Sequence, residues 1–133
     1  METIYFRTQT TVSFINYHFV FCPKYRRKIF LIPNVEERFK ELTRQKCKEL
    51  KIEVLAMECY IDHVHLFLKC WPKQSPAEIM KKVKGASSHA LRDEFPQLAG
   101  MSSLWTRSYF VSTAGNVSSE TIKWYVNMQK TRG

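Results

Sequence analysis

Two histidines one residue apart, His63-Val64-His65, and a tyrosine one helical turn from a glutamine, Tyr125 and Gln129, are the side chains of this sequence best suited to chemistry. In Asp62-His63-Val64-His65-Leu66-Phe67-Leu68-Lys69, apolar residues recur at every second position, the mark of a strand whose successive side chains take opposite faces. Val64, Leu66 and Leu68 form the set that must enter a core. His63 and His65 therefore share the other face, about 7 Å apart along the strand by the rise per residue. Imidazoles so placed can converge on one ion: they suit Mn, Fe, Ni, Cu or Zn, and bind Mg when oxygen ligands and phosphate complete the shell. The pattern is short, and on its own it fits two solvent-facing histidines at least as well. Two histidines are too few for a closed structural zinc site. Cys70, five residues after His65, falls on the core-facing set and is discounted as a third ligand.

Tyr125 and Gln129 lie at i and i+4, on one face of a helix and about 6 Å apart in rise. A carboxamide oxygen is a hard metal ligand, and a phenol oxygen beside it can attack a phosphate held by the same metal. Because a phenol titrates near pH ~10, attack at neutral pH needs a metal or a base to stabilise the developing phenolate. Taken alone, the pair fits better as an amphipathic core tyrosine, alongside Ile122 and Val126, and a solvated glutamine.

These groups must be positioned by elements that the pattern of the chain predicts. Thr11 to Cys22, rich in β-branched and aromatic residues, predicts a buried central strand ended by Pro23. Pro33-Asn34 with Glu37 predicts a helix opened by an asparagine cap and a capping-box variant. Val35, Phe39, Leu42, Lys46 or Cys47, and Leu50 would mark one face of it at helical spacing. Lys51 to Tyr60 returns to strand, turns near Ile61-Asp62, and enters the histidine strand, which Trp71-Pro72 stops. Ser75-Pro76-Ala77-Glu78 opens a second helix with serine as cap and proline in the first turn. Ile79, Val83, Ala86 and Ala90 face one way along it, and Pro96 ends it. Leu104 to Thr113 predicts a fourth strand, Gly115-Asn116 a turn, Ser118 a cap, and Thr121 to Lys130 the helix that carries Tyr125. The order is β-α-β-β-α-β plus a C-terminal helix. This is an α+β, ferredoxin-like (RRM-like) plan: an antiparallel sheet with two helices on one face. Such a fold serves RNA binders, sensors and enzymes alike, so the site has to decide function.

A chain of 133 residues predicts one domain, 1–133, with a single core. Its 44% hydrophobic and 25% charged content is that of a globular protein. The sequence has no apolar run of bilayer length and no signal-peptide pattern, so a cytoplasmic protein without a membrane partner is expected, nucleoid-associated when bound to DNA. Cys22, Cys47, Cys59 and Cys70 are scattered without a C-x-x-C pair, which predicts mostly buried thiols rather than a zinc knuckle or disulfides. The net charge of +9, from 21 Lys+Arg against 12 Asp+Glu, predicts a polyanionic partner. Two basic clusters are the candidate DNA contacts: Lys24, Arg26, Arg27 and Lys28, interleaved with Tyr25, and Lys81, Lys82 and Lys84, with Arg92 further along the same helix. Either cluster is equally a solvated face. His18 is read as a satisfied core or sheet-face histidine.

Together these motifs resemble a family. His63-Val64-His65 fits the HUH pattern of histidine, bulky hydrophobe, histidine, and Tyr125-Val-Asn-Met-Gln129 fits the tyrosine-helix motif of single-tyrosine HUH transposases. These are the small TnpA-like enzymes of insertion sequences that move as single-stranded DNA. Lys24-Tyr25-Arg26-Arg27, Leu104-Trp105-Thr106-Arg107-Ser108-Tyr109-Phe110 and Gly115-Asn116-Val117 extend the resemblance over about residues 12–130. It implies that His63, His65 and Gln129 ligate Mg²⁺ or Mn²⁺, with no other cofactor, and that Tyr125 attacks the scissile phosphate. A 5′-phosphotyrosine and a free 3′-OH result, and a second 3′-OH reverses the step without ATP. Asp62 is a candidate for orienting a ligand, though a turn role suits it as well. The resemblance further implies a homodimer and hairpins at the ends of the element as the DNA partner. The competing expectations are a non-catalytic nucleic-acid-binding module on the same sheet, indifferent to chelator, and a hydrolytic metal nuclease that leaves no protein adduct.

Overall fold

In the computed structural model, which describes residues 6–7, 12–113 and 119–132, a short hairpin of β1 (Phe6–Arg7) and β2 (Val12–Ser13) leads into β3 (Ile15–Phe21). The single predicted strand is thus interrupted at Phe14. Along β3 the alternation is decisive. Tyr17, Phe19 and Phe21 enter the large core, while Val20, followed by Cys22, enters a second cluster on the opposite face. A strand buried on both faces carries apolar residues at consecutive positions, as Phe19, Val20, Phe21 and Cys22 do here.

The chain continues through α1 (Val35–Glu49), β4 (Glu53–Cys59), β5 (Val64–Cys70), α2 (Pro76–Glu94), β6 (Phe110–Ser112) and α3 (Ser119–Met128). The strands form an antiparallel sheet in the order β4-β5-β3-β6, the strand order of the split βαβ plan. Phe19 stands opposite Leu66, and Val20 stands opposite His65 on one side and Phe110 on the other. Val64, Leu66, Leu68 and Cys70 are fully buried, as their alternation requires. Each buried leucine contributes about 1.5–3 kcal/mol relative to leaving it in water. Val35, Phe39 and Cys47 of α1 and Ile79, Met80, Val83 and Leu91 of α2 cover this face.

Three local expectations are corrected. Asn34 precedes α1 in a left-handed conformation (φ 72°) and its side chain makes no cap, so the capping box does not form; asparagine tolerates that region better than most residues. Leu42 of α1 is only partly buried, and Thr43 is buried instead. On α2 the buried row runs through Met80, Ser87, Ser88 and Leu91 rather than Ala86 and Ala90. The Ser75 cap does form, its Oγ accepting from Glu78 N at 3.1 Å ahead of Pro76.

The predicted last strand shrinks to β6. Trp105 is drawn into the helix-side core against Phe21, its indole donating to Ser87 Oγ at 3.0 Å. Leu104 O and Thr106 N pair with Lys24 N and Cys22 O. Lys84 Nζ then takes the carbonyls of Thr106 and Ser108 at 2.6 and 3.0 Å. A side chain here replaces a ladder partner, and the backbone stays irregular up to Phe110. The predicted turn at Gly115-Asn116 and the Ser118 cap lie outside the described residues.

Candidate active site

His65 in β5 and His63, the residue just before that strand, lie side by side, their ring centroids 5.2 Å apart. Two imidazoles at right angles around one ion, with metal–nitrogen distances of about 2.1 Å, have centroids about 5 Å apart. Each ring has one nitrogen already engaged. His63 Nδ1 lies 3.1 Å from Asp62 Oδ1, and a carboxylate can only accept, so Nδ1 carries a proton and Nε2 is the nitrogen left to face another partner. His65 Nδ1 lies 3.0 Å from His18 Nε2. Burial first, and then the neighbouring His63 and His18, push His65 down to about 4, so it is a neutral imidazole at physiological pH. Burial also lowers His18, which stacks on Phe67 at 4.2 Å. This contact serves a metal when His18 Nε2 accepts: His65 then carries its proton on Nδ1 and presents Nε2. Neutral imidazoles with hydrogen-bonded Nδ1 are what a metal site requires, and this donor pair fits a divalent cation. Among the described residues, no group of three or more His, Cys, Asp or Glu is gathered around this pair.

Asp62 is more than a turn residue. Burial opposes its ionisation, but the contacts from His63 and Arg26 outweigh this and hold its carboxyl below the usual value. Tyr60, in the turn before β5, stacks flat on His63 at 4.6 Å and meets His65 edge-on at 5.3 Å. Its hydroxyl donates to Glu58. The only sequence signal for Tyr60 was an aromatic three residues before the first histidine.

The tyrosine helix docks on the same face of the sheet. Tyr125 and Val126 pack on Val20, Cys22 and Phe110, which closes the second cluster. Since Val20 is the register partner of His65, Tyr125 lies one strand over from the histidines. The Ile122 side chain is outside what the structure describes. Tyr125 is only 7% exposed and Gln129, on a 3-10 turn continuing the helix, 2%. Gln129 Nε2 donates to Tyr125 O at 3.2 Å, and its Oε1 accepts from Ser108 Oγ at 2.9 Å. The Tyr125 hydroxyl lies 3.1 Å from the same Ser108 Oγ. Burial pushes Tyr125 up to about 12, against hydrogen bonds from Ser108 and Thr106 that pull it down. A cleft lined by Thr106, Arg107, Ser108, Gln129 and Arg132 opens beside this pair. Thus the fold assembles His63 with His65 and Tyr125 with Gln129 on one face. The Gln129 carboxamide is turned toward Ser108.

Arg107 and Ser108 entered the sequence reading only within the match over residues 104–110, without a role, and Arg132 did not enter it. A hydroxyl between a cation and an aromatic carries no periodic signal, and only the fold puts it against Tyr125. Among the basic clusters, Arg27, Lys28, Lys81 and Lys82 are exposed, Lys82 pairing with Glu78 at 3.1 Å. Lys24 reaches Ser102 Oγ at 3.4 Å. Lys84 is turned inward onto the Thr106 and Ser108 carbonyls, and burial lowers it to about 8. Arg92 likewise holds Ser88 and Met101 O. Arg26 points at Asp62. These last three cations are committed to internal partners. Cys22, Cys47 and Cys70 are buried and Cys59 partly so, all with free thiols. No helix among the described residues is long and apolar enough to cross a membrane.

The sequence and fold have clear relatives. Residues 11–129 match the family model described as "Transposase IS200 like". The chain is 32% identical over 118 residues to the ISDra2 transposase TnpA of Deinococcus radiodurans, covering 86% of this chain and 84% of that one. It is 34% identical over 116 residues to the transposase for insertion sequence element IS200 of Salmonella typhimurium, covering 85% and 75%. A crystal structure of a transposase from Deinococcus radiodurans superposes with a TM-score of 0.83 at 28% identity, over 92% of this chain and 96% of that one. A REP-associated tyrosine transposase bound to a REP hairpin shares the fold, with a TM-score of 0.58 at 12% identity over 96% and 67%. On these matches, spanning nearly its whole length, the chain belongs to the IS200-like transposase family.

Proposed function

We propose that this chain, as one domain, cuts and rejoins single-stranded DNA at the ends of an insertion sequence, with Tyr125 as nucleophile and His63, His65 and Gln129 as ligands of Mg²⁺ or Mn²⁺. One observation carries the reading: the helix bearing Tyr125 and Gln129 docks on the histidine-bearing face of the sheet, over the register partner of His65.

The bound metal would polarise a phosphate oxygen and offset the charge of the phenolate. The chain's own residues do the rest. Arg107 and Arg132, lining the cleft beside Gln129, are placed to receive the scissile phosphate. Tyr125 Oη forms a bond to phosphorus, the P–O3′ bond breaks, and the phenolic proton passes to the departing O3′. The departing strand ends in a 3′-OH after taking up a proton, and the 5′ side remains as a 5′-phosphotyrosine. Attack by a second 3′-OH reverses these bonds, so the energy of the ester is conserved and no nucleotide triphosphate is consumed. The burial of Tyr125 supports transfer over hydrolysis, because it keeps bulk water from the phenol. A hairpin at the element end is the expected DNA partner, and a homodimer the expected assembly. Either the chain's own tyrosine helix or that of a second copy can serve the histidines.

The test is incubation of the full chain with Mn²⁺ and a labelled hairpin-bearing strand from its own element end. A covalent adduct that disappears in Tyr125→Phe and on chelation is expected. An adduct that persists in Tyr125→Phe overturns the assignment of the nucleophile. Binding without any adduct, indifferent to chelator, points to a non-catalytic nucleic-acid module instead.

A further inference from the structure

Arg26 sits in the middle of the basic run Lys24–Lys28, where its neighbours Tyr25, Arg27 and Lys28 are exposed. Its guanidinium is not. Nη2 and Nε both reach Asp62 Oδ2, at 2.8 and 3.0 Å, leaving Asp62 Oδ1 for His63 Nδ1 at 3.1 Å. Nη1 donates to Asn127 Oδ1 at 3.2 Å. Asn127 lies between Tyr125 and Gln129 on the nucleophile's helix. The Arg26 and Asp62 side chains are 23% and 17% exposed, so the pair is largely out of water.

The backbone is shaped for this contact. Tyr25 and Arg26 adopt φ of 57° and 51°, a left-handed conformation that residues with a Cβ avoid unless the surroundings impose it. The same turn receives the end of the tyrosine helix, Tyr25 N donating to Arg132 O at 2.7 Å. One strained turn therefore touches the histidine strand through Asp62 and the tyrosine helix through Asn127 and Arg132.

We propose that Arg26 is a positioning residue. Through Asp62 it fixes the His63 ring with Nε2 turned outward, and through Asn127 it fixes the tyrosine helix relative to that ring. It is not one of the phosphate contacts of the basic run. A carboxylate already balances its charge, and three of its donors are engaged, so little remains to offer a DNA backbone. A lysine could not replace it, because one ammonium cannot span the Asp62 oxygen and the Asn127 carbonyl in a planar fork. The inference rests on His63 as a metal ligand and Tyr125 as nucleophile.

The experiment uses the full chain and two probes, MnCl₂ and a fluorescein-labelled mixed-sequence single-stranded DNA. For Arg26→Gln and Arg26→Lys, Mn²⁺ affinity without DNA should fall about 10- to 100-fold, the range for losing a group that orients a ligand. DNA affinity in chelator, and its slope against log salt, should stay as in the parent. Asp62→Asn should lose a similar factor of Mn²⁺ affinity, and Arg26→Gln/Asp62→Asn should lose no more than the larger single loss, because both act through one ring. Arg27→Gln should instead lower the salt slope by about 0.7, the signature of one lost phosphate contact on a single strand. If Arg26→Gln shows that salt signature with unchanged Mn²⁺ affinity, Arg26 is a phosphate contact and the proposal fails. Parent-like Mn²⁺ affinity in Arg26→Lys overturns it too, and this charge-conserving variant serves if Arg26→Gln does not fold. Asn127→Ala, at an exposed position, should lower kcat for adduct formation about 10-fold at saturating Mn²⁺ with KM unchanged; an unchanged kcat removes the helix half of the proposal. Should His63→Ala bind Mn²⁺ as the parent does, the metal site itself is misassigned, a failure distinct from any result at Arg26.

Discussion

The hydroxyl of Ser108 lies 3.1 Å from the hydroxyl of Tyr125 and 2.9 Å from Gln129 Oε1, so one serine bridges the phenol and the carboxamide. Tyr125 O can only accept, so it takes Gln129 Nε2 and turns Oε1 toward Ser108. Oε1 can only accept as well, so Ser108 donates to it.

Ser108→Ala removes the centre of this chain. Leaving a buried hydroxyl and a buried amide oxygen short of a partner should cost about 1–3 kcal/mol in denaturant unfolding. Adduct formation should slow by up to about 100-fold through misaligned Tyr125, with affinity for single-stranded DNA unchanged. Ser108→Thr should recover much of the rate. Parent-like kinetics in Ser108→Ala would mean that the contact has no role in attack.

Tyr125→Phe should separate chemistry from folding. The ring still fills the cluster with Val20, Cys22 and Phe110, so stability should change by no more than about 1.5 kcal/mol, the worth of one hydrogen bond, while the adduct vanishes. A large drop in melting temperature would show that the hydroxyl is needed by the fold.

His18→Phe keeps a ring stacked on Phe67 but removes the nitrogen that meets His65 Nδ1. Mn²⁺ affinity should fall at least about 10-fold by calorimetric titration, with the melting temperature nearly constant. Unchanged Mn²⁺ affinity would mean that His18 does not set the orientation of His65.

Alkaline pH should unfold the protein through its thiols. Burial pushes Cys22, Cys47, Cys59 and Cys70 from an ordinary value of 9.0 up to about 12. Between those values the unfolded chain has lost protons that the folded chain keeps. The stability they contribute is therefore complete below pH 9 and declines toward pH 12, at up to about 1.4 kcal/mol per pH unit for each buried thiol. Lys84 works the other way. Its folded value, about 8 against 10.5, makes stability rise across that interval, so the net decline should steepen above it. Denaturant midpoints from pH 7 to 11 should show this, and Cys47→Ala should flatten the decline. A parent profile that stays level above pH 9 would contradict the burial of these thiols.

Much of this protein is written in local patterns. Alternation along Val64, Leu66 and Leu68 put His63 and His65 on one face without any tertiary information, because a strand has period two. The i, i+4 spacing of Tyr125 and Gln129 paired them for the same kind of reason, and Ser75-Pro76 announced a cap that forms. Short motifs in a fixed order identified the family. Local patterns misled where a long-range contact overrode them. Asn34 took a left-handed conformation instead of capping, and the strand after Leu104 gave way to Trp105 packing and to the ammonium of Lys84.

What the sequence determined by itself was therefore the set of elements, the faces they present and the pairs of residues that share them. Only the tertiary structure decided which charged and hydroxyl groups complete the site. Arg26 is separated from Asp62 by 36 residues and from Asn127 by 101, and Ser108 from Tyr125 by 17. Arg26 and Lys84 looked like surface cations because charge alone carries no address. Their partners are chosen by the distance and direction of donors and acceptors across packed elements, and no repeat along the chain encodes that geometry.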